Sequence, residues 1–112
     1  MKKELEPLIQ LDEIYGVIAA STDGIIIESA TRKEIDEETA AALTARISKE
    51  VADKTGIKKN VLSIIKGENG YLIFTIKKDF VLGIIGGNDV NLGEVKQVLR
   101  KVADRIQGIL SG

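Results

Sequence analysis

Asp36-Glu37-Glu38-Thr39-Ala40-Ala41-Ala42-Leu43-Thr44-Ala45-Arg46-Ile47-Ser48-Lys49-Glu50-Val51-Ala52-Asp53-Lys54 reads as one helix with two contact faces. At about 100° per residue, Ala40, Leu43, Ile47 and Val51 fall on one side as a large apolar stripe. Ala41, Ala45, Ser48 and Ala52 form a second stripe, roughly 100–150° further round, built only of small side chains. Arg46, Lys49, Glu50 and Asp53 occupy the remaining, solvated arc. A surface helix needs one buried stripe against its own core. A second stripe of small residues lets another backbone come close. The pattern therefore predicts that the large stripe packs on the helix's own sheet and the small stripe on a partner helix. The plainer alternative is that alanine is a good helix former placed where packing does not decide. Asp36 is suited to cap the helix, Glu37 and Glu38 favour its first turn, and Gly56 marks its end.

Working outward, Leu5, Leu8, Ile9 and Leu11 suggest a short first helix, in which Pro7 is tolerable only within the first turn. Gly16 introduces a strand over 17–21. Thr22-Asp23-Gly24 then turns the chain into a hairpin partner over 25–29. After the two-faced helix come three strands in quick succession, at about 60–66, 71–77 and 80–85. Gly67-Glu68-Asn69-Gly70, signalled by its Asn-Gly pair, and Lys78-Asp79 supply the turns between them. In the last helix, Leu92, Val95, Leu99, Val102, Ile106 and Ile109 follow three-four spacing and make one core-facing stripe.

The expected fold is a single α+β domain over residues 1–112, in the order α-β-β-α-β-β-β-α. Its short connections make the five-stranded sheet mainly antiparallel. Leu72, Ile73, Phe74 and Ile76 put apolar groups on both faces of that sheet. Helices must therefore cover both, in three α/β/α layers: the middle helix on one face, the terminal helices on the other. One helix is thin cover for five strands, and an exposed apolar surface of that size marks an interface. Two copies can set their middle helices side by side over a joined sheet, as an isologous dimer. The strand at 60–66 is the expected edge at that seam. Its Val61, Leu62, Ser63, Ile64 and Ile65 are a hazard if left open. The expected dimer interface is thus Ala41, Ala45, Ser48 and Ala52 with Val61, Leu62, Ser63 and Ile64.

Composition narrows the function classes. The chain is 44% apolar and 29% charged with net charge −1, so no basic block points to nucleic acid. Aromatic residues are only 4%, too few for a base-stacking platform. No apolar run approaches the roughly 20 residues of a membrane span, and Met1-Lys2-Lys3-Glu4 opens no signal peptide. A cytoplasmic protein is the expectation. Cysteine and histidine are both absent, which removes disulfides, thiolate nucleophiles, Cys/His zinc sites and imidazole bases together. The chain is not itself a GTPase, because Gly56-Ile57-Lys58-Lys59-Asn60 lacks the first glycine and the Ser/Thr of a phosphate loop. Gly83, Gly86 and Gly87 have the wrong spacing for a dinucleotide fingerprint. Asp23, Asp36, Glu37, Glu38 and Asp89 each have a simpler role at a turn or cap than as a metal ligand or acid–base pair. No catalytic, cofactor or metal residue is expected.

One ordered set of features resembles a known family. Leu8 and Leu11 precede Ile14-Tyr15-Gly16-Val17 and the Asp23-Gly24 turn. Glu38 to Ala42 opens the alanine-rich helix, and Leu82 is followed by Asn88-Asp89-Val90-Asn91-Leu92-Gly93. This set resembles the Roadblock/LC7 family over nearly the whole chain. The resemblance implies a homodimer with paired middle helices and a continuous sheet. It also implies a regulator or scaffold of small Ras-like GTPases, or a subunit of a motor or membrane-associated signalling complex. The chain looks most like a standalone prokaryotic type of the family, which implies action on a partner GTPase from outside its nucleotide site. The family has no invariant catalytic motif, so no active-site residue carries over. On this reading Arg46 and Lys49, on the solvated arc, lie at the rim of a partner surface and set specificity more than affinity. The alternatives are a dimeric adaptor without effect on GTP turnover, and a small-ligand sensor. The sensor needs convergent polar groups that the Ile, Val, Leu and Ala interior hardly offers.

Overall fold

The computed structural model describes residues 1–57 and 60–111. Lys58 and Lys59, in the stretch read above against the phosphate-loop pattern, lie outside them. The elements are α1 (Lys2–Ile9), β1 (Ile14–Ser21), β2 (Ile26–Thr31), α2 (Glu37–Thr55), β3 (Val61–Gly67), β4 (Gly70–Ile76), β5 (Phe80–Gly86) and α3 (Leu92–Ser111). The five strands form one antiparallel sheet in the order β2-β1-β5-β4-β3. The first hairpin and the 3-4-5 meander are therefore joined by pairing β1 with β5, which leaves β2 and β3 as edges.

Alternation along the strands splits the interior in two. Val17, Ala19, Ile73, Leu82 and Ile84 point to one face, where α1 and α3 close over them. Ile18, Ala20, Phe74, Ile76 and Val81 point to the other, beneath α2. The three layers are those expected from the sequence. On α3, Val95, Leu99, Val102 and Ile106 are at most 1% exposed, and full burial of such side chains contributes about 1.5–3 kcal/mol each. Ile109 departs from the expected stripe and stands half-exposed, one turn past the last buried residue.

The caps of α2 are as the sequence indicates. The Asp36 carboxylate accepts from the Thr39 hydroxyl at 2.7 Å and the Thr39 amide at 3.1 Å. These two bonds hold its pKa below the ordinary carboxylate value, the hydroxyl bond contributing most. Gly56 ends the helix in the left-handed conformation at φ +76°, its amide bonding the Ala52 carbonyl.

One local expectation is corrected. Pro7 lies beyond the first turn of α1, which spans only eight residues and is held by Leu5 and Leu8, both fully buried against the α3 side of the core. The β3–β4 turn falls within Gly67–Gly70 as expected, with Glu68-Asn69 at its tip and Gly67 paired to Gly70. Packing requires the second glycine. A Cβ at Gly70 would collide with the Gly86 carbonyl oxygen on the neighbouring strand.

Candidate interaction surface

The helix α2 approaches the sheet with its small face. Beneath it lies Gly83 of β5, where an added Cβ would sit 3.6 Å from Thr44 Cγ2 and Oγ1. At the hairpin tip, a Cβ on Gly24 would stand 3.1 Å from the Ala42 backbone. Only small side chains fit so close an approach. Ala41, Ala45 and Ser48 accordingly turn inward and are 1%, 4% and 5% exposed. Thr44 and Ser48 donate to the Ala40 and Thr44 carbonyls at 2.8 Å each, so neither hydroxyl is buried unpaired.

This reverses the expected use of the two stripes. Ala41, Ala45 and Ser48 are buried against their own sheet, and Ala45 and Ser48 also line the floor of a cleft. Ala52 is half-buried in that cleft, of about 280 Å³, beside Thr22, Asp23, Ile76 and Val81. The large stripe lies on the flank, where Ala40 and Ile47 still pack on the cluster beneath α2. Ala40, Ile47 and Val51 are half-buried along the flank, and Leu43 is 49% exposed. The periodicity revealed two faces; Gly83 and Gly24, which decide between them, are distant in sequence.

Cover of the sheet is uneven. α2 lies over β2, β1 and β5. Its first turn is tied to β2 by Glu37, which accepts from the Ser29 hydroxyl at 2.6 Å and the Thr31 hydroxyl at 3.3 Å. Among the described residues no helix covers β3 to a comparable extent on either face. On the α2 side this leaves Val61, Leu72 and Ile85 half-buried and Ile65 43% exposed. On the other side Leu62 is half-buried and Ile64 is 39% exposed.

The outer backbone of β3 is also open. The Lys77 amide bonds the Phe80 carbonyl across the β4–β5 turn, so the odd residues of β4 bond β5 and the even ones bond β3. In β3 the bonded residues are then Val61, Ser63, Ile65 and Gly67, opposite Ile76, Phe74, Leu72 and Gly70. Leu62, Ile64 and Lys66 turn their N–H and C=O groups outward. The expected seam residues Val61, Leu62, Ser63 and Ile64 thus lie on an unpaired edge strand.

Arg46 and Lys49 are exposed on the outer side of α2 but line different depressions. Arg46 joins Glu38, Thr39, Ala42 and Leu43, whereas Lys49 stands at the rim of the Ala45–Ser48–Ala52 cleft. Among the described residues no three His, Cys, Asp or Glu side chains gather as a metal set. Asp36 and Glu37 are committed to the cap and to β2. What sequence reasoning missed is the flank of Leu43, Ile47 and Val51 together with Ile65, Leu72 and Ile85. The signal available was Gly83, a strand glycine that demands a small-faced helix above it.

The architecture is that of a three-layer α/β/α domain whose middle helix roofs half of its sheet and whose other half ends in an apolar edge. The chain belongs to the Roadblock/LC7 domain family, whose model matches residues 2–86. The last helix, α3, lies beyond that match. It is included in the likeness to a Roadblock/LC7 domain from Streptomyces avermitilis, which has a TM-score of 0.87 at 11% identity and covers 100% of this chain and 98% of that one. MglB of Myxococcus xanthus follows with a TM-score of 0.85 at 24% identity, over 98% of this chain and 94% of that one. In sequence, an uncharacterized protein of Methanocaldococcus jannaschii is 22% identical over 105 residues, 91% of this chain and 89% of the relative. No helix among the described residues is long and apolar enough to cross a membrane.

Proposed function

We propose that the chain is a homodimeric, non-catalytic regulator or scaffold that binds a small Ras-like GTPase and modulates its nucleotide cycle. The observation that carries this reading is the bare half-sheet, with an apolar edge strand beside an α2 flank of Leu43, Ile47 and Val51. A second copy is the simplest cover. Two β3 strands related by a twofold axis pair through Leu62, Ile64 and Lys66, and the two α2 flanks meet above the joined sheet. Val61, Leu62, Ser63 and Ile64 keep their expected place at the seam. Leu43 and Ile47 replace Ala41, Ala45, Ser48 and Ala52 as the helix contacts. Completing the burial of Leu43 and Ile65 on the α2 side contributes about 1 kcal/mol each towards the cost of association.

Membership of the Roadblock/LC7 family and the likeness to MglB support a GTPase as the further partner. The paired α2 helices then present a surface with Arg46 and Lys49 at its rims. The effect on nucleotide turnover is allosteric: the dimer shifts the switch-loop population of the GTPase in proportion to its differential affinity for the two states. A cytoplasmic location follows from that partner.

The test uses purified Ras-like GTPases of the same genome, with GTP hydrolysis and nucleotide exchange followed with and without the chain. A changed rate in either step, lost on charge reversal of both Arg46 and Lys49, is the expected result. Binding without a change in either rate makes the protein an adaptor. No binding in any nucleotide state contradicts the reading.

A further inference from the structure

On the face away from α2, a groove runs between α3 and β3. α3 begins beyond the end of β5, near Tyr71, and Leu92 and Tyr71 pack on the same core. From there it advances alongside β4, so that Arg100 and Asp104 reach the level of Thr75 and Lys77. At that level the groove deepens to a pocket of about 400 Å³ lined by Asn60, Leu62, Thr75, Lys77, Arg100 and Asp104. Lys96, one turn before Arg100, lies on the same flank of the helix. Leu62, Ile64 and Lys66 of β3 share one face by alternation and make the floor.

The charge of this strip is one-sided. Lys77, only 14% exposed, bonds Asp104 Oδ1 and Asn60 Oδ1 at 2.9 Å each. Asp104 is the one carboxylate among the described residues that line the pocket. Lys66 sits over the Tyr71 ring at 5.1 Å. Among the described residues neither Lys96 nor Arg100 has a carboxylate within ion-pair distance. Four cations thus face one anion in a chain whose net charge is −1. At the deep end Asn60 adopts a left-handed φ of +57°, unusual for a residue with a side chain, and holds Lys77 across the pocket.

We propose that this groove docks an acidic, amphipathic peptide segment of a partner protein. Apolar side chains of the segment lie on Leu62 and Ile64, and its carboxylates meet Arg100 and Lys96. Charge complementarity selects such a segment over a neutral one: the guanidinium of Arg100 offers a carboxylate paired donors at the mouth of a pocket with an apolar wall. The groove is independent of the proposed self-association, which uses the outer backbone of β3 and the α2 side of the sheet.

The experiment is fluorescence anisotropy of a labelled peptide of glutamate and leucine in an amphipathic helical pattern, about four turns long, titrated with the full chain. A peptide with glutamine for each glutamate is the control. Saturable binding that weakens about tenfold or more in Arg100→Glu with Lys96→Glu is expected, together with weakening as salt rises. Lys101→Glu, a single charge reversal on the outer side of α3, leaves the affinity unchanged, whereas Arg100→Glu alone weakens it. If the double reversal unfolds the chain, Arg100→Gln with Lys96→Gln serves in its place. No saturable binding, equal binding of the glutamine peptide, or equal losses in the Lys101 variant would overturn the proposal. So would chain that ignores the peptide but sediments with phosphatidylserine vesicles, which assigns the groove to a membrane surface.

Discussion

β2 and β3 are the two edges of one sheet, and they are finished differently. β2 carries Glu28, is flanked by α1 on one face and α2 on the other, and has Ser29 and Thr31 bonded to Glu37. β3 carries Val61, Leu62, Ile64 and Ile65, has no comparable helix cover, and exposes an unpaired backbone. Charge and helical cover are the usual protections of an edge; β3 lacks both until Lys66. The difference teaches that β2 is a finished surface and β3 an unfinished one, which the proposed pairing would complete.

The same asymmetry runs through α2. Its inward face is small because Gly83 and Gly24 draw the helix close, and its flank towards the bare half-sheet is large and half-wet. The sharpest test replaces one residue on each side with arginine. Ala45→Arg buries a charge under a packed helix and is expected to cost about 3–5 kcal/mol, enough to unfold the domain in thermal melts. Leu43→Arg leaves the fold of a chain intact and removes the self-association. If instead Ala45→Arg melts like the wild type and only halves the solution mass, the small stripe is the seam after all.

Proline separates the two sides of β3. Ser63 spends its amide on β4, so Ser63→Pro is expected to lose about 3 kcal/mol of stability in chemical denaturation. Ile64 turns its amide outward, so Ile64→Pro is expected to cost a single chain about 1 kcal/mol while abolishing pairing at the seam. Equal losses at both positions would mean that the register does not leave Ile64 facing outward.

On the finished side the effects are smaller. Asp36→Ala removes the α2 cap and is expected to lower the thermal midpoint at neutral pH by less than either β3 proline. The pKa of Asp36 is lowered in the folded chain, so its contribution is present above the ordinary carboxylate value of 3.8 and fades as pH falls through the folded value. Wild type and variant stabilities should therefore converge in acid. A constant difference down to the lowest pH at which both remain folded would deny the cap its charge.

Much of this architecture was legible in the chain. The caps at Asp36 and Gly56, the Asp23-Gly24 turn and the three-four spacing of α3 are local signals, decided by residues within a few positions of one another. The layer arrangement followed from strands apolar on both faces. The face by which α2 meets the sheet was not legible, because Thr44 and Gly83 are far apart in sequence and only the fold brings them together. At the candidate surface, the edge position of β3 was legible from its unguarded apolar run. The role of Leu43 and Ile47 was not, since a large stripe ordinarily points inward.

The most direct test of the account is the solution mass of the wild type, Leu43→Arg and Ile64→Pro by light scattering, each checked for folding by circular dichroism. The account predicts the mass of two chains for the wild type and of one folded chain for each variant. A monomeric wild type, or a dimer that survives both substitutions, would contradict it.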